Sequence, residues 1–390
     1  MKIIQLNISI ILIISMILQG FSGNYENDRI ILKEVVFSEY SPEQVLSGYD
    51  FSGLYADQEM SMRIDQAEAD ISADQIVYQK WTRKVDSENS IVSFSYRLSN
   101  FWNSNTSSLK NCDYRFEDFI TIPGLPATVE SDLLNERIVD SSLCLQGLAY
   151  TDEFILISSY SANSPDNPGC IHVIDRQTGE YLVSIGLRGN SHMGGIAFDG
   201  QNIWVCNSDN NTMSRISYSI VKSLAQKELH KMIDCTDQFF HYKIDMEPSC
   251  VTFSNGKIWI ATHTVFGNSK LGSYIFEQNQ LTKEQVYQIP SKVQGITFDD
   301  KGRVYLSTSY GRKNSSFLHM YQSLADLDQN PNHPSTIIEM PPCSEEIEYL
   351  QGELLILFES ACQKYFEGAD GNGISTSPID KILCLSTDLP

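Results

Sequence analysis

The chain has 390 residues, with 28 Lys and Arg against 49 Asp and Glu and a formal net charge of −21. An acid excess of that size excludes nucleic acid and anionic membrane surfaces as partners, because both require a basic footprint. The acidic residues are scattered rather than blocked, which describes a self-repelling, well-solvated surface, and the length gives room for one substantial domain plus a smaller one.

The first 23 residues carry one cation, Lys2, then an apolar run from Ile8 to Leu18, then the small residues Gly20, Ser22 and Gly23. The run is too short to span a bilayer, and the pattern reads as a cleaved secretory signal over 1–23. An uncleaved N-terminal anchor is the alternative. The chain is therefore expected to be secreted, with no stable membrane insertion. All nine cysteines follow the signal, and an oxidising compartment predicts disulfides among them. Cys235 with Cys250 and Cys343 with Cys362 are the favoured local pairs, and the odd count leaves at least one cysteine over. Asn105, Asn210 and Asn314 stand in acceptor sequons for glycosylation.

Residues 24–112 read as a small α/β extension. A strand is expected over 29–37, and a helix over 57–71, where Met60, Ile64, Ala67 and Ile71 share one face. A hairpin is expected from 75–85 and 90–98 around Asp86-Ser87-Glu88-Asn89.

From residue 113 onward a short phrase recurs: Gln146-Gly147-Leu148-Ala149-Tyr150, Gly194-Gly195-Ile196-Ala197-Phe198, Ser249-Cys250-Val251-Thr252-Phe253, Gln294-Gly295-Ile296-Thr297-Phe298 and Glu345-Glu346-Ile347-Glu348-Tyr349. Each copy is followed by a polar turn and an apolar run such as Ile203-Trp204-Val205 or Val304-Tyr305-Leu306. A period near 50 residues with four strand-like segments per repeat is the signature of a radial array of sheets. The fold expected is all-β, a five-bladed β-propeller over 113–390. The second repeat carries a helical insertion around Val221–His230. The fifth lacks a fourth strand before Pro390, and Phe116–Ile122 resembles the strands that end other repeats. An N-terminal strand over 116–122 is therefore expected to pair with Lys381–Leu385 and close the ring, which removes exposed edges. Six blades, the sixth drawn from 24–112, is the runner-up.

The register sends the residues just before each inner strand to one mouth of the central channel: Gln146, His192, Glu247, Gln294 and Glu345. The ends of the second strands add Tyr160, His263, Tyr310 and Glu359 to the same face. Two histidines with several carboxylates and amides suit a polar ligand. Capping of backbone groups is the bland alternative for any one of them. His172, His230, His241, His319 and His333 share no column and read as structural or solvent-facing.

No nucleophile elbow, His-Glu-x-x-His, phosphate loop or zinc-spaced cysteine pair occurs. The catalytic residues therefore stay unknown, and no metal ligands are assigned. Stretches such as His192-Met193-Gly194-Gly195-Ile196-Ala197-Phe198-Asp199-Gly200 and Gly295-Ile296-Thr297-Phe298-Asp299-Asp300-Lys301-Gly302 resemble secreted NHL/YncE-type propeller repeat proteins, and more distantly gluconolactonase-like propellers. The gluconolactonase resemblance implies a divalent cation held by Glu, Asn and Asp on six blades. Here no such set falls on matching blade positions. The function expected is a binding or interaction module for a small polar ligand, a glycan or an extracellular protein, with no cofactor. The rival is a hydrolase of sugars or lactones that uses mouth carboxylates such as Glu247, Glu345, Glu346 and Glu359, with or without a divalent cation.

Overall fold

The computed structural model describes residues 30–36, 49–55, 76–83, 107–117, 129–133, 136–140, 143–162, 167–189, 192–366, 371–373, 375, 379 and 381–389. The chain divides into two compact units, Met1–Val85 and Asp86–Pro390.

In the first unit three strands form an antiparallel sheet. Ile76–Arg83 lies in the centre, flanked by Ile30–Val36 and Tyr49–Tyr55. Val77 and Leu54 are buried. Both edges of Ile76–Arg83 are taken, so it does not form the expected hairpin with 90–98, a stretch that lies outside the described residues. The missed partner, Tyr49–Tyr55, has its alternation broken by an irregularity between Phe51 and Gly53. The helix expected over 57–71 also lies outside the described residues.

The second unit is a five-bladed β-propeller. Blade 1 is Leu143–Tyr150, Phe154–Ser161, Gly169–Asp175 and Tyr181–Leu187. Blade 2 is Met193–Phe198, Asn202–Asn207, Thr212–Ser217 and Phe240–Lys243. Blade 3 is Cys250–Ser254, Lys257–Ala261, Ser269–Glu277 and Gln280–Ile289. Blade 4 is Val293–Phe298, Val304–Thr308, Ser316–Tyr321 and Thr336–Met340. Blade 5 is Ser344–Leu350, Glu353–Phe358 and Leu383–Ser386, completed by Tyr114–Phe116. Within every blade successive strands run antiparallel.

Packing explains the ring. Each sheet is covered on both faces by its neighbours, so the second strands read as continuous apolar runs rather than alternations. Phe154–Ser161 and Asn202–Asn207 are buried throughout. The five large apolar clusters each fill one seam. Leu156 and Val183 meet Ile196 and Val205 between blades 1 and 2. Trp204 and Met213 meet Ile258 and Tyr274 between blades 2 and 3. Trp259 and Leu271 meet Val304 and Tyr321 between blades 3 and 4. Tyr305 and Leu318 meet Ile356 and Leu383 between blades 4 and 5. Leu148 and Ile157 meet Leu355 and Leu357 between blades 1 and 5, which closes the circle.

The closing strand sits slightly upstream of its expected place. Leu383 pairs with Phe116, Cys384 with Arg115 and Leu385 with Tyr114, and the Glu117 N–H donates to Ile382 O at 3.0 Å. Residues 118–122 lie outside the described residues. The preceding Ser107–Ser108 adds a parallel strand to blade 4, and Leu109 is buried against that blade and blade 5. The insertion in blade 2 is a helix over Tyr218–Ala225 that buries Val221 and Ala225. After it, Met232–Asp234 pairs in parallel with Tyr181–Leu187 of blade 1 and carries Val129–Leu133 and Glu136–Asp140 beyond it.

The turns between first and second strands repeat one device. Asp199 Oδ1 accepts from the N–H groups of Gln201 and Asn202, and its Oδ2 accepts from Trp204 Nε1 at 2.7 Å. Asp299 does the same in blade 4: Oδ1 accepts from Lys301 N and Arg303 N, and Oδ2 accepts from Tyr305 OH at 3.1 Å. One carboxylate thus caps the turn and satisfies the polar tip of the aromatic that fills the seam.

The expected disulfides are not formed. All nine cysteines are thiols in the structure. Cys235 packs in the seam between blades 1 and 2, whereas Cys250 packs between blades 3 and 4. Cys343 and Cys362 leave blade 5 on opposite flanks. Cys343 Sγ approaches Gly311 O of the blade 4 side at 4.0 Å, and Cys362 Sγ accepts from Leu145 N of blade 1 at 3.4 Å. Closeness in sequence misled both pairings because consecutive blade segments turn toward different seams.

Candidate functional site

At the start of the inner strands the backbone is irregular in four blades. The pairing with the second strand shifts between Leu145 and Gly147, Met193 and Ile196, Val293 and Gly295, and Ser344 and Ile347. Blade 3 keeps an unbroken register there. A bulge re-aims the residue it displaces, and the bulged residues include Gln146, Gln294, Glu345 and Glu346. The glycines mark how close the strands come. A Cβ on Gly195 would meet Cys250 Cα at 2.6 Å and Glu346 Oε2 at a still shorter distance, and one on Gly147 would meet Ile196 N at 2.6 Å. Only glycine leaves that room. Glu346 fills it: from blade 5 its carboxylate receives Ile296 N of blade 4 at 3.2 Å and Val251 N of blade 3 at 3.4 Å, and it lies against Gly195 of blade 2. Complete burial pushes its pKa well up, so the carboxyl is held toward its neutral form.

One level nearer the mouth, a line of hydrogen bonds crosses blades 2, 1, 5 and 4. His192 Nε2 lies 3.3 Å from Gln146 Oε1. Gln146 Nε2 donates to Glu359 Oε2 at 3.1 Å, and Gln294 Nε2 donates to Glu345 Oε1 at 2.9 Å. Glu345 and Glu359 each feel the other's carboxyl, and both are nearly inaccessible to solvent. Two buried carboxyls in contact cannot both ionise, so they hold a proton between them. Burial, then the adjoining Glu359 charge, raises Glu345 well above the usual carboxylate range. Burial raises Glu359 to about 7 against the opposing pull of Tyr365 and Lys364.

Tyr160 walls this line. Its ring stacks on His192 with centroids 4.3 Å apart and planes 16° from parallel, and its hydroxyl accepts from Lys364 Nζ at 2.8 Å. Burial lowers the His192 pKa, opposed by the charges of Asp209 and Glu247. Burial also lowers His263, again opposed by Glu247. Glu247 is exposed and stands between the fields of the two histidines. Lys292 lies 5.0 Å over the Tyr310 ring, and Tyr310 and Phe266 project into solvent with 48% and 90% of their surface free.

The residues expected at the mouth therefore fall into two groups. Gln146, Tyr160, His192, Gln294, Glu345 and Glu359 form one connected cluster. Glu247, His263 and Tyr310 form an outer arc around blades 3 and 4, linked to the cluster through the charge of Glu247 acting on His192. Reasoning from the repeat missed Lys364, Tyr365 and Arg312. Lys364 and Tyr365 belong to a short helix, Gln363–Phe366, in the long connection after Glu359. Arg312 Nη1 donates to Lys364 O at 3.1 Å and its guanidinium covers Tyr365 at 4.7 Å. The available signal was the length of that connection, which has no copy in the other repeats. His172 sits inside blade 1 between Ser159 Oγ at 2.9 Å and Ser184 Oγ at 2.7 Å, a structural setting.

On the opposite face, a cleft of about 240 Å³ lies at the seam of blades 5 and 1, lined by Arg115, Glu117, Tyr150, Arg176 and Glu353 among others. Arg115 is already paired there with Glu117 at 2.5 Å and Glu353 at 2.7 Å. Among the described residues no three His, Cys, Asp or Glu side chains are grouped to hold a metal ion.

No family model and no curated protein matches the sequence, so the resemblance to NHL/YncE-type repeats finds no family match. Among solved structures the chain is similar to the glutaminyl cyclase of Myxococcus xanthus, at 11% identity over 56% of this chain and 88% of that one, with a TM-score of 0.39. It is similar to a chain of the nidogen/laminin complex at 12% identity over 59% and 84%, with a TM-score of 0.37. Likewise it is similar to the Dos1 propeller at 9% identity over 56% and 55%, with a TM-score of 0.31.

Proposed function

We propose that the channel mouth binds a small, hydroxyl-bearing polar ligand, free or as the end of a glycan, and that the chain is a binding module rather than a hydrolase. The hydrogen-bonded line His192–Gln146–Glu359–Glu345–Gln294 carries this reading: it gathers donors and acceptors from four blades at one end of the ring. Gln146, His192 and Gln294 are partly exposed. Gln146 Nε2 is engaged by Leu145 O and Glu359, which leaves the second N–H of Gln294 and its amide oxygen as the fuller set of valences for a ligand. The exposed rings of Phe266 and Tyr310 on the same face offer apolar platforms of the kind that amphipathic ligands use. Export of the chain belongs to the same proposal and rests on residues 1–23.

The hydrolase reading requires two carboxyls roughly 5–9 Å apart with room between them for the bond to be cleaved or for water. Glu345 and Glu359 are almost completely buried, with 3% and 6% of their surface free, and burial of that degree leaves little access for a glycosidic bond or its water.

Calorimetric titration with a panel of neutral mono- and disaccharides tests the proposal. At least one sugar is expected to bind the wild type, and Glu359→Gln and Gln146→Ala are each expected to weaken it about tenfold, near 1.4 kcal/mol. Absence of binding across the panel, or binding that ignores both substitutions, would overturn it.

A further inference from the structure

Cys144 and Cys362 come from opposite ends of the repeat array yet meet in the same seam. Cys144 lies in the inner strand of blade 1, and Cys362 follows the second strand of blade 5. Both are fully buried in the cluster that joins the last blade to the first. Leu145 N–H donates to Cys362 Sγ at 3.4 Å, so the Cys362 sulfur sits against the peptide that carries Cys144. Cys144 precedes Leu145 directly, so the two side chains share one packed volume of that seam. The peptide N–H next to Cys144 already touches the Cys362 sulfur, and a disulfide asks for Cα atoms about 4.4–6.8 Å apart, a span that neighbours across one packed seam can meet.

We propose that Cys144 and Cys362 form a disulfide that staples blade 5 to blade 1 beneath the ligand-binding mouth. The oxidant is a small-molecule or protein disulfide such as oxidised glutathione. The thiolate of one cysteine attacks it and releases one glutathione thiol. The other cysteine then displaces the second glutathione, forming the S–S bond. Two protons and two electrons leave the protein, and one oxidised glutathione becomes two thiols. Burial and the adjoining Cys144 sulfur hold the Cys362 thiol well above its ordinary pKa. Nucleophilic thiolate is therefore scarce in the finished fold, and the exchange belongs to folding, before the seam closes.

The pairing differs from the sequence-local Cys343–Cys362 link because Cys343 faces the blade 4 side. The bond would close a loop that spans nearly the whole propeller, the arrangement in which a crosslink restrains the unfolded chain most.

Refolding the reduced, denatured full chain in a glutathione redox buffer tests this, with alkylation and peptide mapping by mass spectrometry. The expected product joins the Cys144 and Cys362 peptides through a bond that dithiothreitol opens. Reductant is then expected to lower the Tm of the oxidised wild type by on the order of 10 °C, while leaving that of Cys144→Ser and Cys362→Ser in place. The mapping needs only the wild type, so it decides the matter even if a serine variant does not fold. Alkylation of both sulfurs after refolding in the most oxidising buffer, or Cys362 joined to Cys343 instead, would overturn the proposal.

Discussion

At the scale of single residues the centre of the ring is governed by volume. Gly147, Gly195, Cys250, Gly295 and Glu346 occupy the same column of the repeat, and the glycines leave the space that one glutamate fills. Gly195→Ala is expected to cost at least about 1–3 kcal/mol, because the new methyl meets Cys250 Cα and the Glu346 carboxyl with nowhere to move. Gly200→Ala is the informative contrast: its Cβ meets nothing, and its cost comes only from a φ of +94°. Chemical denaturation of the two variants separates crowding from backbone strain. The glycines were legible in the sequence as a repeated Gly before an apolar residue. Glu346 was legible only as a carboxylate, because nothing in one copy of the repeat shows that its side chain reaches three other blades.

Among the elements, the closing strand tests whether the ring is one cooperative body. Tyr114–Phe116 completes blade 5, and its aromatic rings pack at the seam with blade 4. Replacing Arg115 by Pro removes the N–H of a residue paired with Cys384 and so takes a ladder hydrogen bond from a strand held on one side. Light scattering is expected to show self-association of that variant, since the freed edge of Leu383–Ser386 becomes a template for other chains. Arg115→Ala is expected to scatter as the wild type does, because its ion pairs are half-exposed and contribute little. The need for this strand was legible from the incomplete fifth repeat. Its position was read as Phe116–Ile122 because that segment resembles the strands ending other repeats, whereas the strand that pairs is the mixed Tyr-Arg-Phe of 114–116. Met232–Asp234, which joins blade 1 in parallel, was not legible at all: three residues carry no periodicity, and a parallel partner across a helix leaves no local signal.

For the whole molecule, two sets of buried groups give stability opposite slopes with pH. Burial holds His172 down to about 3 and His319 to about 4, below the ordinary value of 6.5. Their contribution is complete above 6.5 and is lost as pH falls toward the folded values. Asp299, drawn down by Arg303 and backbone N–H groups against its own burial, adds to the same acid-side loss. Glu359 is raised from 4.5 to about 7, so its contribution is complete below 4.5 and is lost as pH rises through 7. Glu348, raised by burial to about 8, and Glu345 and Glu346 act in the same sense. Calorimetric Tm is therefore expected to peak between about pH 4.5 and 6.5, and Glu359→Gln is expected to lessen the alkaline slope while leaving the acid slope unchanged. A wild-type Tm still rising between pH 7 and 8 would contradict this. The carboxyl pair behind that slope was half legible. Glu345 and Glu359 were placed on one face by the repeat register, but their contact depends on the angle between strands of one blade, which sequence spacing does not encode.

The Glu346 carboxyl at the axis has a consequence for traffic through the disc. With that side chain bonded to blades 3 and 4 and seated against blade 2, the centre of the ring is stoppered rather than open. The mouth is then the open end of a cup whose floor is Glu346, and whatever enters must leave by the same door. Exchange would have a single route, so a bulky group fixed beside Tyr310 or Phe266 would slow arrival and departure together and leave the affinity alone. The far face, with the cleft at Arg115 and Arg176, is chemically out of earshot of the mouth.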